Sequence, residues 1–486
     1  MNVNGRHVAS AISAGVLTIG ALVTANPAVA ATPATAPNAA AVAPAADTDG
    51  QRQWVVGLGD SYMSGEGATF TRYGGGAQWW TWTFGGSLEQ TYPGDTTGVG
   101  TLCHRSASAL MMWGDASQYT GKNLACSGAI STSVPGKPGI DFATSPQGQA
   151  SQLEAFAREV QAHGDRITTV AVSIGGNDVG FGPIVSDCTA RFVTPGKSAC
   201  SRPDSGSVLQ QQMATGLVGA KTAVETSLRN VRQAMANAGI PQESYTIAVQ
   251  TYPIGIPTAA NVDPSLGGDH DWGRQIYGGC PFTDSDFNYF NDTLGPTLRT
   301  RVIEGAKTVL AESGEKANIV VVDATHAFAG HELCAKSAVL PTVASPGGHS
   351  MNPQWTSATE GGQNGYWMTP VIINCVQDSG FCPIGDSPLK RYPMLWQAVD
   401  GPKDCGWGWN SWKDGACGVA TKNLQQMPAH PNYWGQRALA ACHELASTNP
   451  AYRGQVVTCT PAATNPLPLD NLGRPAMVTA ASGPIA

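Results

Sequence analysis

Short apolar runs alternate with segments of helical periodicity between residues 51 and 460. Runs rich in β-branched residues predict strands at 54–58, 167–174, 245–250 and 319–322. Apolar residues at helical spacing predict helices at 149–163, 206–238, 286–312 and 437–445, with breaks near Gly216 and Pro296. Apolar strands separated by helices are typical of a parallel sheet that is covered on both faces. The pattern therefore predicts a three-layer α/β/α domain with a short parallel sheet of about five strands.

Two segments interrupt this alternation of strands and helices, and we interpret both as insertions on a smaller core. Residues 69–100 and 335–428 are irregular and rich in Trp, including Trp79, Trp80, Trp82, Trp407, Trp409 and Trp412. These rings could line an apolar acyl site, stack on sugar rings, or fill the core of the insertions. An Ala/Pro-rich linker or pro-segment is expected at 31–50 and a loose C-terminal tail at 461–486.

The first thirty residues predict a secretory signal peptide. Arg6 and His7 form a polar start, residues 8–25 are small and apolar, and Ala28-Val29-Ala30 is a cleavage site. A membrane anchor is the alternative, but no later stretch approaches the ~20 apolar residues of a spanning helix. We therefore expect a secreted protein without stable membrane insertion.

The charge and the cysteine content narrow the possible classes of protein further. The net charge is −7 and no block of Lys and Arg is present, which argues against a nucleic-acid partner. The even count of 12 Cys favours disulfides in an oxidising compartment, and no Cys-x2-Cys spacing suggests zinc. Local pairs would join Cys103 to Cys126, Cys188 to Cys200, Cys375 to Cys382 and Cys405 to Cys417, while Cys280, Cys334, Cys442 and Cys459 would form two more.

The first candidate for chemistry is Gly59-Asp60-Ser61-Tyr62, directly after the first predicted strand. Sites in parallel α/β sheets lie at the carboxyl ends of strands, so Ser61 is well placed to react. The tripeptide alone is weak evidence, since Gly385-Asp386-Ser387 repeats it without a preceding strand. We interpret that second copy as a chance match.

Three further segments carry candidates, and each also has a plain structural explanation. Gly128 in Leu124–Ala129 suits a close backbone approach or a turn beside a disulfide. Asn177 in Ser173–Asp178 offers an amide donor at a strand end or a helix cap. His430 precedes a predicted helix in the sequence HPNYWGQ, where it is either a base or a structural loop residue.

The order of these motifs resembles that of the SGNH/GDSL hydrolase family, and most of all its secreted actinobacterial esterase/lipase-like branch. The resemblance covers 54–200, 319–334 and 428–445, and it includes GDSYMSGEG, CHRS, CSGA, GGND, GHELC and HPNYWGQ. It implies a flavodoxin-like fold and a carboxylic ester hydrolase that works through an acyl-serine. Ser61 is implied as the nucleophile and His430 as the base, with an oxyanion hole formed by the N–H groups of Ser61 and Gly128 and the side chain of Asn177. A serine hydroxyl needs such a base before it becomes a useful nucleophile.

One departure from the family pattern concerns the acid that orients the base. The family usually has Asp three residues before the His, but this chain has Met427 there. A backbone carbonyl near His430 is our first hypothesis for the group that accepts the other ring N–H. A distant carboxylate, such as Asp400, Asp404 or Asp414, is the competing one.

We therefore expect a monomeric enzyme that acts on lipid or simple acyl esters. A carbohydrate acetyl esterase, or a secreted carbohydrate-binding protein with a vestigial hydrolase core, are the alternatives. No cofactor or metal is expected, because His331-Glu332 lacks the second His of a zinc protease motif and Gly196-Lys197-Ser198 lacks the leading Gly of a phosphate-binding loop.

Overall fold

A computed structural model describes much of the predicted domain. It covers residues 51–68, 103–106, 108–112, 119–194, 196–271, 273–312, 318–338, 365–369, 429–463, 467–470 and 472–485, without the side chains of 275–277. The predicted signal peptide, the linker, the Trp clusters and Ser387 lie outside these residues. So do Met427, Asp400, Asp404, Asp414 and the cysteines Cys375, Cys382, Cys405 and Cys417.

A largely parallel sheet organises the described residues. Its strands are β1 (Gln53–Gly59), β2 (Tyr119–Asn123), β3 (Arg166–Ser173), β4 (Thr246–Gln250), β5 (Ile319–Asp323), β6 (Gln455–Pro461) and β7 (Met477–Pro484). They stand in the order β2-β1-β3-β4-β5-β6-β7, and every pair is parallel except β6 with β7. The order 2-1-3-4-5 is that of flavodoxin-like folds, in which the strand order reverses between β1 and β3. This confirms the predicted α/β fold class.

Helices follow most of the strands. They are α1 (Ser61–Ser64), α2 (Gln149–Ala162), α3 (Phe181–Val193), α4 (Val208–Ala214), α5 (Val218–Asn237), α6 (Asp284–Tyr289), α7 (Gly295–Ala311) and α8 (Tyr433–Ser447). Short 3-10 turns lie at Gln242–Ser244, Ala259–Asn261, Pro264–Leu266 and Pro450–Tyr452, and π-helical turns at Gly273–Gly278 and Phe290–Leu294. The break predicted near Gly216 separates α4 from α5, and the break predicted near Pro296 is the π-helical turn between α6 and α7.

Two apolar layers, one on each face of the sheet, complete the three-layer arrangement. Side chains of neighbouring strand residues point to opposite faces, so Val55 joins one cluster and Val56 the other. The Val56 cluster includes apolar residues of α2, α5 and α7, whereas the Val55 cluster includes residues of α3, α6 and α8. The sheet is therefore covered on both faces, as the apolar strands predicted.

The sheet is wider than the five strands expected from the sequence. β2 reads Tyr-Thr-Gly-Lys-Asn and has no apolar run, because an edge strand needs less burial. β7 lies within the segment 461–486, which the sequence suggested to be a loose tail. Its small and polar side chains are mostly exposed, and its pairing with β6 comes from the backbone, which leaves no hydrophobic signal.

Four disulfides lie within the described residues. Cys103–Cys126 and Cys188–Cys200 confirm two predicted pairs. The remaining four cysteines pair as Cys280–Cys334 and Cys442–Cys459, the second of which ties α8 to β6. Across the same residues, no helix combines the length and apolar character needed to cross a membrane.

Candidate active site

Ser61 occupies the turn where β1 ends and α1 begins. Asp60 caps α1, and its carboxylate accepts a hydrogen bond from the backbone N–H of Tyr62 at 3.1 Å. The turn is held against β3 by the backbone N–H of Asp60, which donates to the carbonyl of Ser173 at 3.0 Å. Only glycine fits at position 59, because a Cβ there would lie 1.9 Å from that same carbonyl oxygen. Ser61 thus lies at the carboxyl end of β1, beside the point where the strand order reverses.

His430 meets Ser61 from the other end of the chain. Its Nε2 lies 2.7 Å from Ser61 Oγ, although 369 residues separate the two in sequence. The ring is carried by the loop before α8, whose first turn is capped by the side chain of Asn432. Nε2 accepts from a hydroxyl only when the ring proton is on Nδ1. The contact has the geometry that proton transfer between a serine and a histidine needs, and the roles of Ser61 as nucleophile and His430 as base stay predictions.

The backbone of His430 is held by Thr369. The Thr369 hydroxyl accepts from the His430 N–H at 3.1 Å and donates to the His430 carbonyl at 3.0 Å. The Thr369 N–H donates to that carbonyl at 2.7 Å, and the Ala429 N–H donates to the Thr369 carbonyl at 3.1 Å. Thr369 belongs to the predicted insertion 335–428, so part of that insertion positions His430. No motif or spacing in the sequence predicts this contact between Thr369 and His430.

Tyr62, the residue after Ser61, also contacts the loop of His430. Its hydroxyl donates to the carbonyl of Ala429 at 2.9 Å, and its ring centroid lies 5.4 Å from that of His430. Ala429 has a φ of 61°, which a non-glycine residue adopts only when its surroundings impose it. Tyr62 and Thr369 therefore fix this backbone from two sides.

The two predicted oxyanion residues outside α1 lie on neighbouring loops. The Cys126 N–H donates to the Gly59 carbonyl at 3.0 Å, which brings the loop containing Gly128 to the end of β1. Gly128 has a φ of 74°, a conformation that favours glycine. The Asn177 amide donates to the Ala129 carbonyl at 2.9 Å, which orients Asn177 and uses only one of its two hydrogens. The contacts bring the predicted residues together, and their role as oxyanion donors stays a prediction.

A tyrosine that the sequence analysis did not single out joins two of the motifs. The Tyr252 hydroxyl donates to the Asp60 carboxylate and accepts from the Gly176 N–H at 2.9 Å. Burial raises the pKa of Asp60 to about 7, although the hydrogen bonds from the Tyr252 hydroxyl and the Tyr62 N–H oppose the shift. Tyr252 thereby links the turn that carries Ser61 to the loop that carries Asn177.

A buried acid also lies beside the site. Glu66 follows Ser61 by five residues, within GDSYMSGEG, and it contacts His104 and Ser127. Glu66 has no predicted role in that motif. The sequence carries no signal for one, because the burial of Glu66 appears only in the fold.

Three further questions from the sequence concern His331, the group that orients His430, and a metal site. His331 stacks on Trp367 with ring centroids 3.9 Å apart, and burial lowers its pKa to about 4, which fits a packing role. The carboxylates proposed as partners of the His430 Nδ1 are those of Asp400, Asp404 and Asp414, which lie outside the described residues. The choice between them and a backbone carbonyl stays a prediction. Among the described residues, no group of three or more His, Cys, Asp or Glu is placed to hold a metal ion.

The fold and the contacts define an α/β protein with a serine–histidine pair at the switch point of its sheet. No family model matches the chain, and no curated protein matches it in sequence. The chain is similar to the extracellular lipase from Streptomyces rimosus, with 19% identity, coverage of 62% of this chain and 92% of that one, and a TM-score of 0.32. It is also similar to phospholipase A1 from Streptomyces albidoflavus NA297, with 20% identity, coverage of 62% and 91%, and a TM-score of 0.31. At these scores neither likeness bears on the chemistry of the site.

Proposed function

We propose that the protein is a secreted serine ester hydrolase of the SGNH/GDSL type. The observation that carries the proposal is the 2.7 Å contact between Ser61 Oγ and His430 Nε2 at the carboxyl end of β1. The described disulfides support an oxidising compartment, because such bonds rarely persist in the cytosol. The substrates are carboxylic esters, either lipids or simple acyl esters.

The reaction follows from the positions of these two side chains. Ser61 Oγ attacks the ester carbonyl carbon while His430 Nε2 takes the hydroxyl proton. The tetrahedral intermediate then collapses, the C–O bond to the alcohol breaks, and the His430 imidazolium gives its proton to the departing oxygen. Water attacks the acyl-serine with His430 again as base, which releases the carboxylic acid and restores Ser61.

The negative oxygen of the intermediate requires donors that are already in place. The backbone N–H groups of Ser61 and Gly128 and the amide of Asn177 are the donors that we propose for it. Losing one such donor typically slows an enzyme by about 100- to 1,000-fold. Since Asn177 is the side-chain donor among them, Asn177→Ala is the variant that tests this part of the proposal.

Hydrolysis of p-nitrophenyl esters, from acetyl to palmitoyl, tests the function directly. The wild type is compared with Ser61→Ala and His430→Ala, and with Ser387→Ala as a matched control from the second Gly-Asp-Ser sequence. We expect turnover and fluorophosphonate labelling in the wild type and in Ser387→Ala, and neither in Ser61→Ala. Turnover confined to the acetyl ester would identify an acetyl esterase. A folded wild type that neither labels nor turns over any ester would contradict the proposal and favour a binding protein.

A further inference from the structure

Glu66 is a carboxylate with no exposed surface, and both of its oxygens have partners. His104 Nδ1 lies 2.9 Å from Oε1, and the Ser127 hydroxyl donates to Oε2. His104 is buried completely as well. Burying a carboxylate is costly unless it is paired and hydrogen-bonded, so this cluster is a specific arrangement of the site and not a chance contact.

The main chain joins Glu66 to the nucleophile and to the oxyanion loop. The N–H groups of Gly65 and Glu66 both lie 3.2 Å from the carbonyl oxygen of Ser61, to which they donate. On the other side, Ser127 directly precedes Gly128, and its N–H donates to the Cys103 carbonyl at 3.0 Å. The Glu66 side chain therefore links the turn that carries Ser61 to the loop that carries Gly128.

The same segment packs against His430. A Cβ placed on Gly67 would lie 3.4 Å from His430 Cβ and 3.2 Å from the carbonyl oxygen of Pro431. Burial by itself would raise the pKa of Glu66, but the hydrogen bond and charge of His104, the charge of His430 and the Ser127 hydroxyl together lower it. The charges of His104 and His430 thus both favour the ionised form of Glu66.

We propose that Glu66 is a positioning residue for the Ser61–His430 pair. It fixes Ser127 and the oxyanion loop against the turn that carries Ser61. This rests on the proposed function, and it gives a role to a buried carboxylate that the acyl-transfer steps themselves do not use. Glu66 touches neither the substrate nor the reacting atoms.

Replacing Glu66 by Gln keeps the size of the side chain and removes the charge. The Ser127 hydroxyl then loses a hydrogen bond to a charged acceptor, so the loop that carries Gly128 is held less firmly against the Ser61 turn.

The test is steady-state kinetics of the full-length protein on p-nitrophenyl esters. In Glu66→Gln we expect kcat to fall about tenfold or more with little change in KM, because the oxyanion donors act on the transition state more than on the bound ester. Glu66→Asp, which keeps the charge, should restore part of kcat. Asp286→Asn removes another buried carboxylate that accepts from Ser201 and Thr283, and it should change neither quantity.

An unchanged kcat in folded Glu66→Gln would overturn the positioning role. A wild type without ester turnover would count against the proposed function alone, so the two failures can be told apart. Should Glu66→Gln not fold, Ser127→Ala tests the link to the oxyanion loop while the Glu66 carboxylate stays in place. It should lower kcat with little change in KM, and an unchanged kcat would overturn the link.

Discussion

Gln436 joins α8 to the turn that carries Ser61, because its side-chain amide donates to the Tyr62 carbonyl at 3.0 Å. The oxygen of the same amide accepts from the Leu110 N–H at 2.9 Å, and the side chain is buried completely. Because His430 lies in the loop that leads into α8, this bridge fixes the helix relative to Ser61. The distance between Ser61 and His430 is thus set by contacts on both sides of the loop and not by the loop alone.

If Ser61 and His430 act as one unit, the loss of both should cost no more than the loss of one. We expect Ser61→Ala and the double variant Ser61→Ala/His430→Ala to retain the same residual rate, because the base has no function without the nucleophile. Steady-state kinetics on one p-nitrophenyl ester measure this. A double variant that is slower by the product of the single effects would show that the residues act independently.

Removing the Thr369 hydroxyl should leave His430 less firmly positioned beside Ser61. Thr369→Val leaves the His430 N–H without its acceptor and removes one of the donors to the His430 carbonyl. A displacement of about 1 Å can cost on the order of 100-fold in rate, so we expect kcat/KM to fall by about 10- to 100-fold.

Thr369→Ser is the matched control, since it keeps the hydroxyl and should stay within a few-fold of the wild type. His326→Ala, at an exposed histidine without a candidate role, should not change the rate. Equal rates in Thr369→Val and Thr369→Ser would show that the hydroxyl does not position His430.

The Cys103–Cys126 disulfide should matter for catalysis as well as for stability. It spans 23 residues and holds the loop that continues into Ser127 and Gly128. Replacing both cysteines by Ala should lower the free energy of unfolding by about 3 kcal/mol in the chain-entropy account. We also expect kcat to fall by about tenfold, because the loop of Gly128 is less well positioned.

The Cys188–Cys200 pair, which spans 12 residues, offers the comparison. Its removal should cost a similar free energy, again about 3 kcal/mol, and leave kcat unchanged at temperatures where the variant is folded. Urea unfolding and ester kinetics on both variants measure the two effects. The prediction would be wrong if both variants lost activity equally.

Glu332 should make stability depend on pH. Burial raises its pKa from 4.5 to about 7, so between these values the folded state holds a proton that the unfolded state releases. The free energy of unfolding therefore falls as pH rises through this window. In Glu332→Gln the side chain at this position no longer titrates. The free energy of unfolding of the variant, relative to that of the wild type, should therefore rise by up to about 3 kcal/mol from pH 4.5 to pH 7.

Urea unfolding at pH 4.5 and pH 7.5 measures this difference. Other groups titrate in both proteins and cancel in the comparison. Glu159→Gln, at an exposed position on α2, should show no such gain. A Glu332→Gln variant whose relative stability is the same at both pH values would contradict the prediction.

The sequence by itself determined the α/β class, the positions of four central strands and the motifs that contain Ser61, Gly128, Asn177 and His430. It could do so because buried parallel strands leave continuous apolar runs, and because a strand end followed by glycine and a reactive side chain leaves a local signature. The same local character made two of the disulfides predictable, since their cysteines are close in sequence.

Only the tertiary structure decided which distant groups meet. It brought His430 to Ser61 across 369 residues, placed Thr369 on the backbone of His430, and paired Glu66 with His104 and Ser127. It also added β2, β6 and β7 to the sheet. Hydrogen bonds between residues far apart in the chain, and the edge strands β2 and β7 that are held by backbone pairing, have no period or spacing by which a sequence could reveal them.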